Sequence, residues 1–284
     1  MSQFYIPLTV QDDQAAPEED AIWRDQVKPQ LAEIEPNVGE ICYYGFCEIM
    51  NNAIDHSEGT QAIVEVSKNN SVTLTIQDDG VGLFTKLKRD LRLNDDLNAA
   101  LQLSKGKLTT APEIHSGEGL FFSCRLFDSF SIQSGNIRFE RAAGTWTFTP
   151  ITDTANPSGS KTATGTKIVM AIAVRSERQI DQVFRDYATD PDNLDFGKTI
   201  VPVFLAQYGS ETLISRSQGK RVVAGLEKFK QVIFDFSNVD RIGQAFADEV
   251  FRVFQLKHPD IRLTPFNENQ TITQMIERVR ANLP

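Results

Sequence analysis

The sequence predicts an α+β fold in two parts: a two-layer sandwich of helices on a sheet over residues 25–175, then a small α/β unit over 195–284. Three observations lead there. A helical stretch at 38–56 precedes two short strands with alternating apolar residues, 61–67 and 72–77, and Asn69-Asn70 between them is a tight hairpin signal. Further strands return after a second apolar helix. Past Thr189-Asp190-Pro191-Asp192-Asn193, which reads as a boundary, strand and helix alternate to the end of the chain.

Taken in order, residues 1–24 are a polar, acidic arm after a short apolar start, expected as a loosely held or edge element. A helix is expected over 22–34, broken at Glu35-Pro36-Asn37, and a second over 38–56, stopped by Ser57-Glu58-Gly59 with a glycine suited to the C-terminal cap. The hairpin strands come next. Residues 83–116 are a long insert whose centre, 94–101, reads as a short capped helix ending near Gly106 and flanked by Lys86, Lys88, Arg89, Lys105 and Lys107. An apolar helix follows at 121–127, its Leu120, Phe121, Phe122, Leu126 and Phe127 strip suited to core packing. Strands at 129–134 and 137–141 join at Gly135-Asn136, and another at 145–149 leads through a polar loop with Pro157-Ser158-Gly159-Ser160 to an apolar strand at 167–172. Residues 176–194 supply a connecting helix, 176–188, and the linker. The last unit reads as strand 199–205, helix 217–229, strand 231–236, helix 244–255, strand 261–266 and helix 270–282.

Composition bounds the function. The chain has 284 residues, 40% hydrophobic and 24% charged, enough for two cores, with a net charge of −9. Charge is uneven: residues 195–284 carry 12 Lys and Arg against 10 Asp and Glu, while residues 1–194 carry 17 against 28. An acidic first part lacks the clustered cations that bind phosphate backbones, so no nucleic acid is expected as a partner. No run reaches the eighteen or so apolar residues that span a bilayer, and residues 1–10 lack the pattern of a signal peptide. A cytoplasmic protein without a membrane partner is the expectation. Cys42, Cys47 and Cys124 have neither the number nor the spacing of a disulfide scaffold or a zinc site and read as reduced packing residues.

The chemistry concentrates in a few motifs. Glu48-Ile49-Met50-Asn51-Asn52-Ala53 lies on the second helix, where Glu48 and Asn52, four apart, share one face. A carboxylate beside a neutral oxygen ligand suits Mg²⁺, which shares hard oxygen donors among side chains, water and phosphates. Asp78-Asp79-Gly80-Val81-Gly82 stands at a strand end. There Asp78 offers an acceptor for an exocyclic amine, and Gly80 and Gly82 permit close backbone approach. Ser116-Gly117-Glu118-Gly119-Leu120 opens a helix, where free N–H groups and the positive dipole end receive phosphate. Gly165-Thr166 leads into the last strand of the sandwich. Each alone also fits a bland feature: a solvated helix face, a turn, a helix break.

In this order the motifs resemble the GHKL ATPase superfamily, which includes gyrase-type ATPases, histidine-kinase catalytic domains and anti-sigma-factor serine kinases. The resemblance covers roughly residues 25–175 and implies a GHKL ATP-binding sandwich with ATP and Mg²⁺ as cofactors. It implies that Glu48 is the catalytic carboxylate, Asn52 the metal ligand, and Asp78 the acceptor for the adenine amine. It also implies that Gly117, Gly119 and Leu120 cap the phosphates and that Thr166 helps hold the base through water, with Gly80 and Gly82 among the nucleotide-binding residues. The insert 83–116 becomes the lid over the nucleotide, with Lys105 or Lys107 reaching a phosphate or remaining in a solvated loop. His115, beside the glycine motif, is a further ligand candidate. Val232-Ile233-Phe234-Asp235-Phe236-Ser237-Asn238-Val239 together with Gly243-Gln244-Ala245-Phe246-Ala247-Asp248-Glu249 resembles STAS-like domains related to anti-sigma-factor antagonists, over roughly 195–284. Antagonists of that class carry a phosphorylatable hydroxyl at the start of the helix after the central strand. Here Gly243, Gln244 and Ala245 occupy that region, with Ser215, Ser217 and Ser237 nearby.

Three function classes follow. The first is a Mg-ATP-binding signalling protein in which nucleotide regulates a fused STAS-like, partner-binding domain, with a protein partner such as a regulator of a sigma-factor-like pathway and room for a homodimer. The second is an ATPase or anti-sigma-type serine/threonine kinase acting on a separate partner, with Glu48 as base. The third is assembly alone. Histidine autokinase activity is disfavoured, because His56, His115 and His258 do not follow a phosphoacceptor pattern.

Overall fold

The computed structural model describes residues 1–8, 18–108, 117–151, 165–190, 192, 194–207 and 211–282. The chain divides into two compact units: Met1–Asp96 with Thr110–Val183, and Leu97–Thr109 with Phe184–Pro284. It is an α+β protein built on a large antiparallel sheet and a small parallel one.

In the first unit seven strands run in the order β1-β2-β3-β7-β4-β5-β6, every neighbouring pair antiparallel. They are β1 (Ser2–Pro7), β2 (Gln61–Lys68), β3 (Ser71–Asp78), β4 (Ser129–Ser134), β5 (Ile137–Ala142), β6 (Thr145–Pro150) and β7 (Thr166–Ala173). β1 is an edge strand on β2, so part of the expected arm belongs to the sheet. Alternation buries one face. Leu74, Met170 and Phe130 face one another across β3, β7 and β4, and so do Ile76, Ile168 and Ile132. Residues of the other parity, such as Thr73 and Val169, are part-exposed.

Helices α1 (Glu19–Ile22), α2 (Pro36–His56), α3 (Leu83–Leu91) and α5 (Gly119–Leu126) accompany this sheet. α2 buries Val38, Ile41, Cys42, Phe46, Ile49, Met50 and Ala53, a three-and-four spacing that forms a single stripe. It starts at Pro36, where a missing N–H costs nothing. The helix expected over 22–34 is shorter at its end: a π-turn at Trp23–Val27 and a 3₁₀ turn at Lys28–Gln30 carry the chain past Pro29, which cannot donate to a continuing helix. Cys42 and Cys124 are buried and Cys47 is half-buried, all three as free thiols, and burial pushes the Cys42 thiol up to about 12.

The second unit holds three parallel strands, β8 (Lys198–Pro202), β9 (Gln231–Asp235) and β10 (Arg262–Phe266), with β9 central. Helices α4 (Asp96–Lys105), α6 (Ile180–Tyr187), α7 (Arg216–Val223), α8 (Gln244–Asp248), α9 (Phe254–Lys257) and α10 (Gln270–Arg280) complete the described helices. α4 falls within this unit except for its first residue, and α6 crosses the division. β8 ends at Pro202 and gives way to a 3₁₀ turn, so the expected strand to 205 is cut short by a proline that cannot donate to the ladder. The helix expected to 229 stops at Val223, two residues before left-handed Gly225. α8, a π-stretch at Glu249–Val253 and α9 run on as one continuous helical segment. Phe234, Phe236, Phe246 and Phe251 fill the core. Among the described residues no helix is long and apolar enough to cross a membrane.

Candidate nucleotide site

β3 ends at Asp78, which is 8% exposed. Its Oδ1 accepts from the backbone N–H of Gly80 at 2.9 Å and of Thr166 at 3.2 Å. Burial raises the carboxyl above its ordinary value, and the two N–H donors oppose that rise. The neighbouring Asp79 points elsewhere: it is exposed and accepts from the N–H and hydroxyl of Thr60 and from the N–H of Gln61. Only Asp78 therefore stands on the helix-covered face of the sheet.

The glycines around Asp78 are fixed by close approach. A Cβ on Gly80 would lie 2.0 Å from the Ser57 carbonyl oxygen, which also accepts the Val81 N–H at 2.9 Å, so this turn closes on the end of α2. Gly165 has φ of +102°, and its Cβ would lie 2.1 Å from the Asp78 carbonyl oxygen. The Thr166 hydroxyl accepts the N–H of Leu83, the first residue of α3, at 2.8 Å. Motifs separated by more than eighty residues thus meet in one knot.

Glu48 and Asn52 are half-buried on α2. A Cβ on Gly119 would fall 1.7 Å from Glu48 Oε2, so α5 starts directly against that carboxylate. Burial first, and then the Glu48 and Glu118 carboxylates, raise the Tyr44 hydroxyl. Gly117 is left-handed, with φ of +70°, and the first bond of α5 runs from the Phe122 N–H to the Glu118 carbonyl. The N–H groups of Gly119, Leu120 and Phe121 precede that bond at the positive end of the helix. Among the described residues no group of three or more His, Cys, Asp or Glu can hold a metal. A Mg²⁺ ion on Asn52 would take its other ligands from water and phosphate.

Lys105 and Lys107, expected either to reach a phosphate from a lid over 83–116 or to remain in a solvated loop, make their contacts within the second unit. Lys105 is 2% exposed within the second unit and donates to the Arg221 and Ala224 carbonyls at 3.0 and 2.8 Å and to Gln102 Oε1 at 3.0 Å. Its three donors are committed. Lys107 donates to the Lys228 carbonyl at 3.2 Å and lies over the rings of Phe196 and Phe229. α3 stays with the sheet while residues 97–109 pack with the second unit, because the apolar side of α4, with Ala99, Ala100 and Leu101 buried, needs a core to cover it. His115 lies outside the described residues.

In the second unit Asp235, Ser237 and Asn267 cluster where β9 and β10 end. Asp235 Oδ1 accepts from the Ser237 N–H and hydroxyl and from the Asn267 amide, at 2.8 to 3.0 Å. Gly243 caps α8, and a Cβ there would lie 2.8 Å from Ile214 Cα, so this position has no room for a hydroxyl-bearing side chain without backbone movement. Ser215 is the N-cap of α7 in a reciprocal capping box with Gln218, and its hydroxyl also bonds Ser217.

Residues 218–273 match a STAS-like domain of unknown function (DUF4325). The STAS-like match falls within the second unit and includes most of α7, all of β9 and β10, and the start of α10. Among solved structures, the topoisomerase IV ATP-binding domain of Francisella tularensis in complex with a small-molecule inhibitor matches at 16% identity. That match covers 59% of this chain and 73% of that chain, with a TM-score of 0.26. No curated protein matches.

Sequence reasoning passed over several residues that build the site. Ser57 supplies the carbonyl that shapes the glycine turn, Tyr44 borders Glu48, and Ser134 lies beside Gly82. Only Ser134 had a readable signal, since strand alternation places it on the same face as Phe130 and Ile132.

Proposed function

We infer that the first unit binds adenine nucleotide with Mg²⁺, as a GHKL-type sandwich, and that the bound state regulates what the STAS-like unit can engage. The observation that carries this reading is the convergence of the motifs: Asp78 and Thr166 joined at one end, and Glu48 against Gly119 at the other. Asp78 would accept the adenine amine, Asn52 would hold the metal through its amide oxygen, and the start of α5 would receive phosphate. A metal bound there would neutralise charge on the phosphates. Glu48, which lies beside the phosphate end, would accept a proton if a hydroxyl or water attacked there.

Regulation is supported by chain path. Residues 97–109 lie in sequence between Gly82 and Gly117 yet pack with the STAS-like unit, so the connection between two nucleotide motifs runs through the regulated unit. A ligand that favours one arrangement of these segments biases the other unit by its differential affinity. Serine/threonine kinase activity on a separate partner is the second reading, favoured by the Glu48 carboxylate at the phosphate end. ATP titration with and without Mg²⁺, followed by product analysis, tests both: no saturable ATP binding removes the first, and binding without turnover or transfer removes the second.

A further inference from the structure

The helix-covered face of the first sheet is apolar row by row until its last row. Across β3, β7 and β4 the rows read Leu74, Met170, Phe130, then Ile76, Ile168, Ile132. Gln77 faces Lys167 on β7, which brings the next pair, Asp78 and Thr166, together, and Thr166 faces Ser134 on β4. The last row is therefore Asp78, Thr166, Ser134, all three buried. Adjacent strands lie about 4.8 Å apart, so the row spans about 10 Å, the width of a purine with one water at its edge.

Two of these polar groups have clear partners. Asp78 Oδ1 takes two backbone N–H groups, and the Thr166 hydroxyl takes the Leu83 N–H. Ser134 does not: it is 4% exposed, and among the described residues its hydroxyl has no hydrogen-bond partner. Gly82 passes so close that a Cβ there would lie 2.8 Å from Ser134 Oγ. A buried hydroxyl without a partner costs stability, and an alanine would fill the same place without that cost.

We propose that Ser134 is a base-binding residue of the nucleotide site, its hydroxyl donating, directly or through one water, to the ring nitrogen N1 next to the amine that Asp78 accepts. This rests on the adenine-nucleotide reading above and adds a second specificity contact to it. Asp78 alone requires a donor on the base. Ser134 requires an acceptor beside that donor, which adenine offers at N1 and 1-deazaadenine lacks.

The test uses the full chain with three proteins, wild type, Ser134→Ala and Asp78→Asn, and two ligands, ATP and 1-deaza-ATP, with the unfolding midpoint of each protein measured without nucleotide. Ser134→Ala should bind ATP about three- to tenfold more weakly, the range for one neutral hydrogen bond, while its affinity for 1-deaza-ATP should equal that of wild type. Its nucleotide-free midpoint should stay level or rise. Wild-type ATP affinity in Ser134→Ala, an equal loss for both ligands, or a lowered nucleotide-free midpoint would each overturn the assignment to Ser134. If Asp78→Asn still loses ATP in those cases, the nucleotide reading stands without Ser134. Wild-type protein that binds neither ligand removes both.

Discussion

Lys105 offers a sharp test of where the insert belongs. Its side chain is enclosed by the end of α7, with the Arg221 and Ala224 carbonyls and Gln102 as acceptors, and burial lowers its pKa to about 7 from 10.5. The unfolded chain holds this proton up to about pH 10.5, whereas the folded chain releases it above about 7. Unfolding therefore takes up a proton between those values, and stability must rise with pH across that window. Below about 7 both states are protonated and this group adds no further slope. One proton limits the slope to about 1.4 kcal/mol per pH unit, and the full window corresponds to about 4–5 kcal/mol. The three acceptor oxygens hold the protonated form and work against burial, so a rise of about 2–4 kcal/mol is expected. The assay is urea unfolding of wild type and Lys105→Met from pH 7 to 10, with hydrogen exchange of β9 and α7 amides to place the effect in the second unit. Subtracting the variant's profile removes other titrating groups. Parallel profiles would refute the buried placement, and a tenfold loss of ATP affinity in Lys105→Met with unchanged stability would restore the phosphate-binding lysine.

Other outcomes follow from the site itself. Asp78→Asn can keep the Gly80 and Thr166 bonds through its amide oxygen, but it turns an NH₂ group toward the adenine amine, so calorimetry should show about ten- to a hundredfold weaker ATP binding in a folded protein. Equal ATP and GTP affinities in wild type would count against that role. Asn52→Ala should abolish the Mg²⁺ dependence of ATP binding, whereas Glu48→Gln should leave binding intact and suppress any turnover; hydrolysis undiminished in Glu48→Gln would remove Glu48 as base. With γ-labelled ATP and Mg²⁺, residues 195–284 should stay unlabelled because Gly243 is backed by Ile214 and Ser215 serves as a helix cap. Stoichiometric label on Ser215, Ser217 or Ser237 would contradict this.

The first unit was legible where local chemistry and tertiary need agree. The strands around Asn69-Asn70, the strand at 129–134 and the stripe on α2 form within a residue or two of their expected limits, because alternation and the three-and-four spacing are set by which faces must be buried. The errors fall where a single backbone feature decides: Pro29 in the first helix, Pro202 in β8, Gly225 after α7. In the Asp-Asp pair, the order of the two residues relative to the strand decides which faces the helices, and period-two alternation carries that information.

What sequence could not carry is the allegiance of α4. Its helical character is local, but the burial of Ala99, Ala100, Leu101 and Lys105 depends on carbonyls and side chains more than a hundred residues later. A lysine in a glycine-flanked insert reads as a phosphate ligand or a solvated charge because charged residues are seldom buried unless paired. Here the pairing comes from the C-terminal carbonyls of α7, the negative end of a helix, which is where a cation is stabilised. The same placement strengthens the regulatory reading. If residues 97–109 were a free lid, nucleotide could order them at no cost to the STAS-like unit. Because Lys105 and Thr199 hold them in that unit, a nucleotide-driven shift that reached residues 97–108 would have to carry the unit along or break those contacts. Hydrogen exchange at residues 97–108 that is identical with and without saturating ATP would leave the two units as independent neighbours, and a change there would locate the coupling in α4.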